Sequence, residues 1–227
     1  MLATTQPRTW RERFARLKRD TSGMALIEFA YCLPIFFTLG LTATEISNLA
    51  MVNMKVSQIA MSVADNLSRA KQAVPLGLPQ LREHDINDAF IGANLQAEEL
   101  DIFRHGRMIV SSLQTNGSNG QWIRWQRCKG MRNVTPAYGA QDTGATGTAF
   151  PGMGPTGNRV QAEPGTAIIF VEFSYQYQPV VFPISVMGPV VLREETAFYV
   201  RDDRDLTAVY NPNPSVTAST CNLFTLT

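Results

Sequence analysis

Three glycines, Gly152, Gly154 and Gly157, stand at the G-x-G-x-x-G spacing that lets a backbone cradle phosphates. That chemistry needs a strand before the loop and a helix after it, so that the helix N-terminus meets the anion. Here no strand pattern precedes the run, Pro155 interrupts it and no helical pattern follows. Nucleotide binding is therefore not expected. The histidines are His84 and His105, and the cysteines are Cys32, Cys128 and Cys221. With no cysteine or second histidine at ligand spacing, no metal site is expected. His105 and Cys128 could serve as base and nucleophile, yet nothing in the sequence orients them. The run Arg201 to Asp205, RDDRD, offers carboxylates, but without EF-hand-like spacing and with arginines interleaved. It reads as a solvated salt-bridge patch rather than a calcium site. Asn66, Asn116 and Asn133 match glycosylation triplets, which matter only where that machinery exists. No cofactor is called for, and the chain reads as non-enzymatic.

The residue that stands out is Glu28. It lies in Met24 to Ala43, MALIEFAYCLPIFFTLGLTA. Twenty helical residues span about 30 Å, the thickness of a bilayer core. A carboxylate there costs about 2–3.5 kcal/mol at a helix centre and less near an end, and a plain anchor has no reason to carry one. Pro34 removes a helix hydrogen bond and is expected to bend the span. Six basic residues precede it (Arg8, Arg11, Arg13, Arg16, Lys18 and Arg19) against Glu12 and Asp20. From Met24 onward the chain holds 14 basic and 17 acidic residues, so its net charge of +1 conceals a basic tip on a mildly acidic body. That distribution speaks against nucleic-acid binding, which needs a basic face on the folded body. By the positive-inside rule it places the N-terminus in the cytoplasm and everything after about Thr44 outside the inner membrane. The apolar stretch Val180 to Leu192 is broken by Pro183, Gly188 and Pro189, and is read as buried turn and core.

Ser22 to Phe29, SGMALIEF, resembles the processing site of type IV pilin precursors: a basic leader ending in Gly, then an apolar helix with Glu at its fifth mature position. A cut between Gly23 and Met24 makes Glu28 that fifth residue. The new α-amino group of one subunit can then pair with the Glu of a neighbour in low dielectric, which offsets desolvation and sets axial register. The run Glu28, Phe29, Ala30 and Pro34, the helix ending VSQIAMSVADNLSRA and the later FVEFSYQYQPVVFP resemble the TadE/TadF-type pseudopilins of Tad (tight-adherence) pili. The resemblance covers residues 11–71 well and 166–204 loosely. It implies a minor pilin or pseudopilin, because the major pilin of these systems is little more than the helix. It also implies as partners other pilins and pseudopilins, an inner-membrane assembly platform and a prepilin peptidase. The implied location is the bacterial inner membrane, single-pass with a periplasmic domain, with later incorporation in an extracellular pilus. The alternative is an uncleaved, membrane-anchored periplasmic binding module. A secreted protein is disfavoured, because Leu41-Thr42-Ala43 is a poor signal-peptidase site and the apolar run is long.

Four segments follow. Residues 1–23 are a basic cytoplasmic leader, 24–43 the membrane part of a helix, 44–74 its extracytoplasmic extension and 75–227 an α+β domain. Ile46, Leu49, Val56, Ala60, Val63, Leu67 and Ala70 recur at helical spacing, and Pro75 and Gly77 end the pattern. One helix over about 24–71 is expected. Residues 75–105 form a second helical region with Ile86, Phe90 and Leu95 on one face and Asp85 or Asn87 able to cap it. The period then falls towards two. Strands are expected at 106–114 and 121–128 around the NGSNG loop, at 166–177 and at 193–201, with an irregular Gly- and Pro-rich loop at 135–165. The fold expected is a long N-terminal helix packed on a small antiparallel sheet.

Cys32 lies in the span and reads as a small hydrophobe. Cys128 and Cys221 both fall in the extracytoplasmic domain, where disulfides persist. A bridge between them would tie the C-terminal tail to the hairpin; the alternative is two buried thiols. Under the binding-module reading, Trp122, Trp125 and the 135–165 loop are the recognition candidates, with core packing as the alternative for the tryptophans.

Overall fold

The structure is a computed structural model that describes residues 10–18, 20–21, 23–183, 186, 188–201 and 203–226. The chain divides into two compact units, Met1–Ser47 and Asn48–Thr227. A short helix α1 (Trp10–Leu17) precedes α2, one helix of 46 residues (Met24–Arg69). The absence of Pro and Gly from Thr44 to Ala73 lets α2 run on past its apolar part. In the second unit Val52, Val56, Ile59, Ala60, Val63 and Leu67 form its buried stripe. Asp65 accepts from Arg69 one turn later at 2.9 Å, the favoured acid-before-base order.

Strand β1 (Gln80–Arg82) leads into α3 (Glu83–Ala97). Asp85 caps α3 from its first turn: Oδ2 accepts the Arg82 backbone N–H at 2.9 Å and Oδ1 accepts from the Arg82 guanidinium at 2.7 Å. The buried face of α3 is Ile86, Phe90, Ala93 and Ala97, with Phe90 edge-on to Phe103 at 6.0 Å. Leu95 was expected on that face and is instead 73% exposed. The buried positions Phe90, Ala93 and Ala97 recur at helical spacing, and Leu95, two residues from each alanine, falls off that face.

A short helix α4 (Ile102–His105) precedes β2 (Gly106–Thr115), which pairs with β3 (Gln121–Lys129). Then come β4 (Ala167–Gln176), β5 (Val191–Tyr199) and β6 (Asp205–Tyr210). Four strands form an antiparallel sheet in the order β3-β2-β4-β5, and β1 pairs in parallel with β6 in a separate two-stranded sheet. The chain is thus α+β. The expected strand at 193–201 sits two residues earlier, and β1 and β6 were not anticipated. Both are short, and their pairing joins distant parts of the chain, which local pattern does not encode.

Both faces of β2 and β4 are buried. One face, with Val110, Ile169, Val171, Phe173 and Tyr175, shares a core with α2 and α3. On the other, Leu113, Ile123, Ile168 and Phe170 pack with Met153 and Ala162, and against Tyr138 and Phe150, all from the irregular 135–165 run. That run is held by side chains. Asn116 Nδ2 donates to the carbonyls of Gly144 and Gly147 at 2.8 and 2.7 Å, and a Cβ at Gly120 would collide with the Gly147 carbonyl. The alternation of β4 therefore does not separate core from solvent: Glu172 and Ser174 are buried too.

Candidate functional site

The N-terminal unit carries the residues of the expected processing and register site. Gly23 occupies the N-cap of α2, its carbonyl accepting the Ile27 N–H at 3.1 Å, and Met24 is the first helical residue. The Gly23–Met24 peptide bond therefore stands at the helix entrance. Residues 23–44 are all exposed, Glu28 and Cys32 among them. Glu28 lies beside Ile27 and Phe29 on this apolar helix. Among the described residues no cation lies within ion-pair distance of Glu28.

Pro34 sits inside the helix, which runs through it uninterrupted. The Thr38 hydroxyl donates to the Pro34 carbonyl at 2.7 Å and the Thr44 hydroxyl to that of Gly40 at 2.9 Å. Hydroxyls turned back on their own helix leave it few polar groups that need water. α2 has a mean hydropathy of 1.8 over its most apolar 18 residues, so it is long and apolar enough to cross a membrane.

In the second unit Cys128 and Cys221 are joined by a disulfide with Sγ–Sγ 2.03 Å. The tail that it ties down is also held by Arg107. This guanidinium is fully buried and donates to the carbonyls of Gly130, Cys221 and Leu223 at 2.8, 2.6 and 3.1 Å, while Phe224 stacks on it at 4.0 Å. Burial pulls its pKa down from the usual arginine value. Asn87, a proposed cap, instead serves the tail, donating to the Thr217 carbonyl at 2.9 Å and accepting from Ser219 at 2.8 Å. Between α3 and the tail lies a groove of about 570 Å³ lined by Phe90, Ile91, Leu95, Leu223 and Leu226, with Lys129 at its side. Burial lowers the pKa of Lys129.

A second buried polar centre surrounds Glu172 on the loop-covered face of β4. It is 8% exposed, and Oε2 accepts the Ala137 N–H at 2.8 Å, while Oε1 is buried with no partner among the described residues. Desolvation, reinforced by the facing Glu195, pushes its carboxyl up to about 7 against the pull of the Ala137 N–H. Tyr138 donates to Glu195 at 2.7 Å, and burial raises the pKa of that phenol.

Other sequence candidates resolve as follows. Gly152, Gly154 and Gly157 lie in the irregular run, closed by a bridge between Met153 and Val160. His84 pairs with Asp88 at 2.9 Å on the surface, and Cys128, being disulfide-bonded, is no partner for His105. Trp125 is core and Trp122 half-buried under Arg124 at 4.6 Å. The RDDRD run is not a purely solvated patch. Arg204 is buried and donates to the carbonyls of Leu67 and Ala70 at 2.8 and 2.6 Å, closing the C-terminus of α2. The hydroxyls of Thr207 and Tyr210 hold the Asp205 carboxyl below the usual carboxylate range. Asp202 lies outside the described residues. Val180 to Leu192 is not core either: Val180 and Val186 are each 72% exposed, although Val190 and Leu192 pack against the core. Arg107 and Arg204 were missed by sequence reasoning. A lone arginine between Gly106 and Met108 in an apolar strand was the available signal for the first.

Comparison with family models, curated proteins and solved structures finds no match to this chain.

Proposed function

We propose that the chain is a minor pilin-like subunit, of the kind represented by TadE/TadF-type pseudopilins. It is cut after Gly23 by a prepilin peptidase and packed through its N-terminal helix into a Tad-type pilus. In this reading the basic leader lies in the cytoplasm, Met24–Ala43 crosses the bacterial inner membrane and the α+β domain is periplasmic. The carrying observation is Glu28, the fifth residue of a helix that begins at Met24 and is exposed along its apolar part. An exposed carboxylate in such a helix calls for a cation from outside this chain. The freed amine of a neighbouring subunit meets that need and fixes the stagger between helices.

Intact mass and N-terminal sequencing of the protein from its native membranes test the cleavage. A chain starting at Met24 supports it. An intact N-terminus in cells that process other pilins would sink it and leave the anchored binding module. Glu28→Ala is expected to stop pilus assembly while membrane insertion is kept. Unchanged piliation in that variant would remove the role given to Glu28.

A further inference from the structure

We propose that the groove between α3 and the C-terminal tail binds a fatty acid, its alkyl chain lying between Ile91 and Leu95 of α3 and Leu223 and Leu226 of the tail, and its carboxylate meeting Lys129. The proposal stands on the second unit alone and needs neither cleavage after Gly23 nor pilus assembly.

The walls of the groove are preformed. On one side Asn87, Ile91 and Leu95 follow one another at four-residue spacing, share a face of α3 and span a rise of about 12 Å. The tail opposite is fixed along its length. Cys221 is bonded to Cys128, whose N–H donates to the Ser219 carbonyl at 2.7 Å. Asn87 donates to the Thr217 carbonyl, and Arg107 to those of Cys221 and Leu223. A site built in this way loses little ordering entropy when it is filled.

The lining selects the class of ligand. Ile91 and Leu95 are exposed, and a chain of methylenes laid against them would take apolar surface out of water. The volume of about 570 Å³ is that of a small-molecule site. A helix of about 10 Å diameter fills about 900 Å³ over the same length, more than the groove holds. An extended peptide would bring N–H and C=O groups that need partners. The tail carbonyls of Thr217, Ser219, Cys221 and Leu223 already accept hydrogen bonds. An alkyl chain makes no such demand.

Lys129 is the one charged residue on the lining, and it has no ion-pair partner among the described residues. Burial disfavours its charge, and an anion beside it would restore it. Asn87 and Ser219 also line the groove but are bonded to each other at 2.8 Å. A single cation beside an apolar channel matches a single anionic group on the end of an alkyl chain.

The test uses the full chain in phospholipid nanodiscs and a photoreactive decanoic acid with a diazirine at its chain end, the adducts being mapped by peptide mass spectrometry. Label in residues 24–43 reports contact with the bilayer and should rise without saturating. Label in residues 87–95 and 217–226 should saturate, and excess unlabelled decanoic acid should compete it away. Lys129→Met should cut groove labelling about tenfold. Leu95→Asp, at an exposed helix position, sets a carboxylate against that of the ligand and should cut it at least about fivefold with no change in unfolding midpoint. Groove labelling that does not saturate, that the matching fatty alcohol gives equally well, or that Leu95→Asp leaves unchanged overturns the proposal. Label confined to 24–43 overturns it too and leaves the membrane span standing. Saturable groove labelling with none in 24–43 supports the proposal and sinks the span reading instead.

Discussion

Glu172→Gln isolates the cost of burying one carboxylate under the 135–165 loop. In the folded protein desolvation, with Glu195 opposite, raises this group from 4.5 to about 7. Below about pH 4.5 the carboxyl is protonated in both folded and unfolded chains and the site costs nothing. Between about 4.5 and 7 the unfolded chain gives up its proton and the folded chain keeps it, so stability falls as pH rises, by about 1.4 kcal/mol per unit. Above about 7 the loss levels off near 3 kcal/mol. A glutamine keeps an oxygen for the Ala137 N–H and carries no charge. The full-length protein in detergent micelles, unfolded with guanidinium and followed by tryptophan fluorescence, should show wild type and variant equally stable near pH 4.5. By pH 8 the variant should lead by about 3 kcal/mol. The difference curve removes His84, His105 and every other group common to both proteins. Parallel curves over this range, or a lead that shrinks as pH rises, would refute the reasoning.

Arg204→Ala leaves the carbonyls of Leu67 and Ala70 without their charged donor, and should lower stability by about 2–4 kcal/mol with an unchanged denaturant slope; a loss under about 0.5 kcal/mol, the range of an ordinary surface change, would return that residue to the surface patch. Replacing Cys128 and Cys221 together by serine frees a loop with a sequence separation of 93 residues and should cost about 4–5 kcal/mol by chain entropy. Unfolding of the oxidised and serine forms compares them directly, and a difference below about 1 kcal/mol would show that Arg107 and Asn87 hold the tail without the bond.

The long helix was legible because periodicity and the positions of Pro and Gly are local signals, and α2 ends at Arg69 where the pattern stops. The hairpin and β4 were legible for the same reason. Alternation failed where the chain folds a loop back over a strand. Glu172 and Ser174 look like a solvent face until Tyr138, Phe150 and Met153 arrive from the 135–165 run. Leu95 looked like core because leucine outweighs alanine in any apolar count, yet the buried residues at that end of α3 are Ala93 and Ala97. Arg204 looked like one charge in a run of five. Its role depends on a helix end 134 residues earlier, which no window of sequence contains. In the N-terminal unit the spacing of Gly23, Met24, Glu28 and Pro34 is the whole signal, and the fold adds only that the Gly23–Met24 bond stands at a helix entrance.

The contacts that anchor α2 within the second unit have a mechanical consequence. Asn48 on Tyr177 at one end and Arg204 on Leu67 and Ala70 at the other pin the helix to the domain at both ends of its buried stripe. A tug on the chain at Asn48, directed along the axis, must slide the whole stripe from Val52 to Leu67 past its neighbours at once. The contacts share the load in shear instead of peeling in sequence. A domain towed by such a rod resists extraction with its full core, whichever way the rod is drawn along its length.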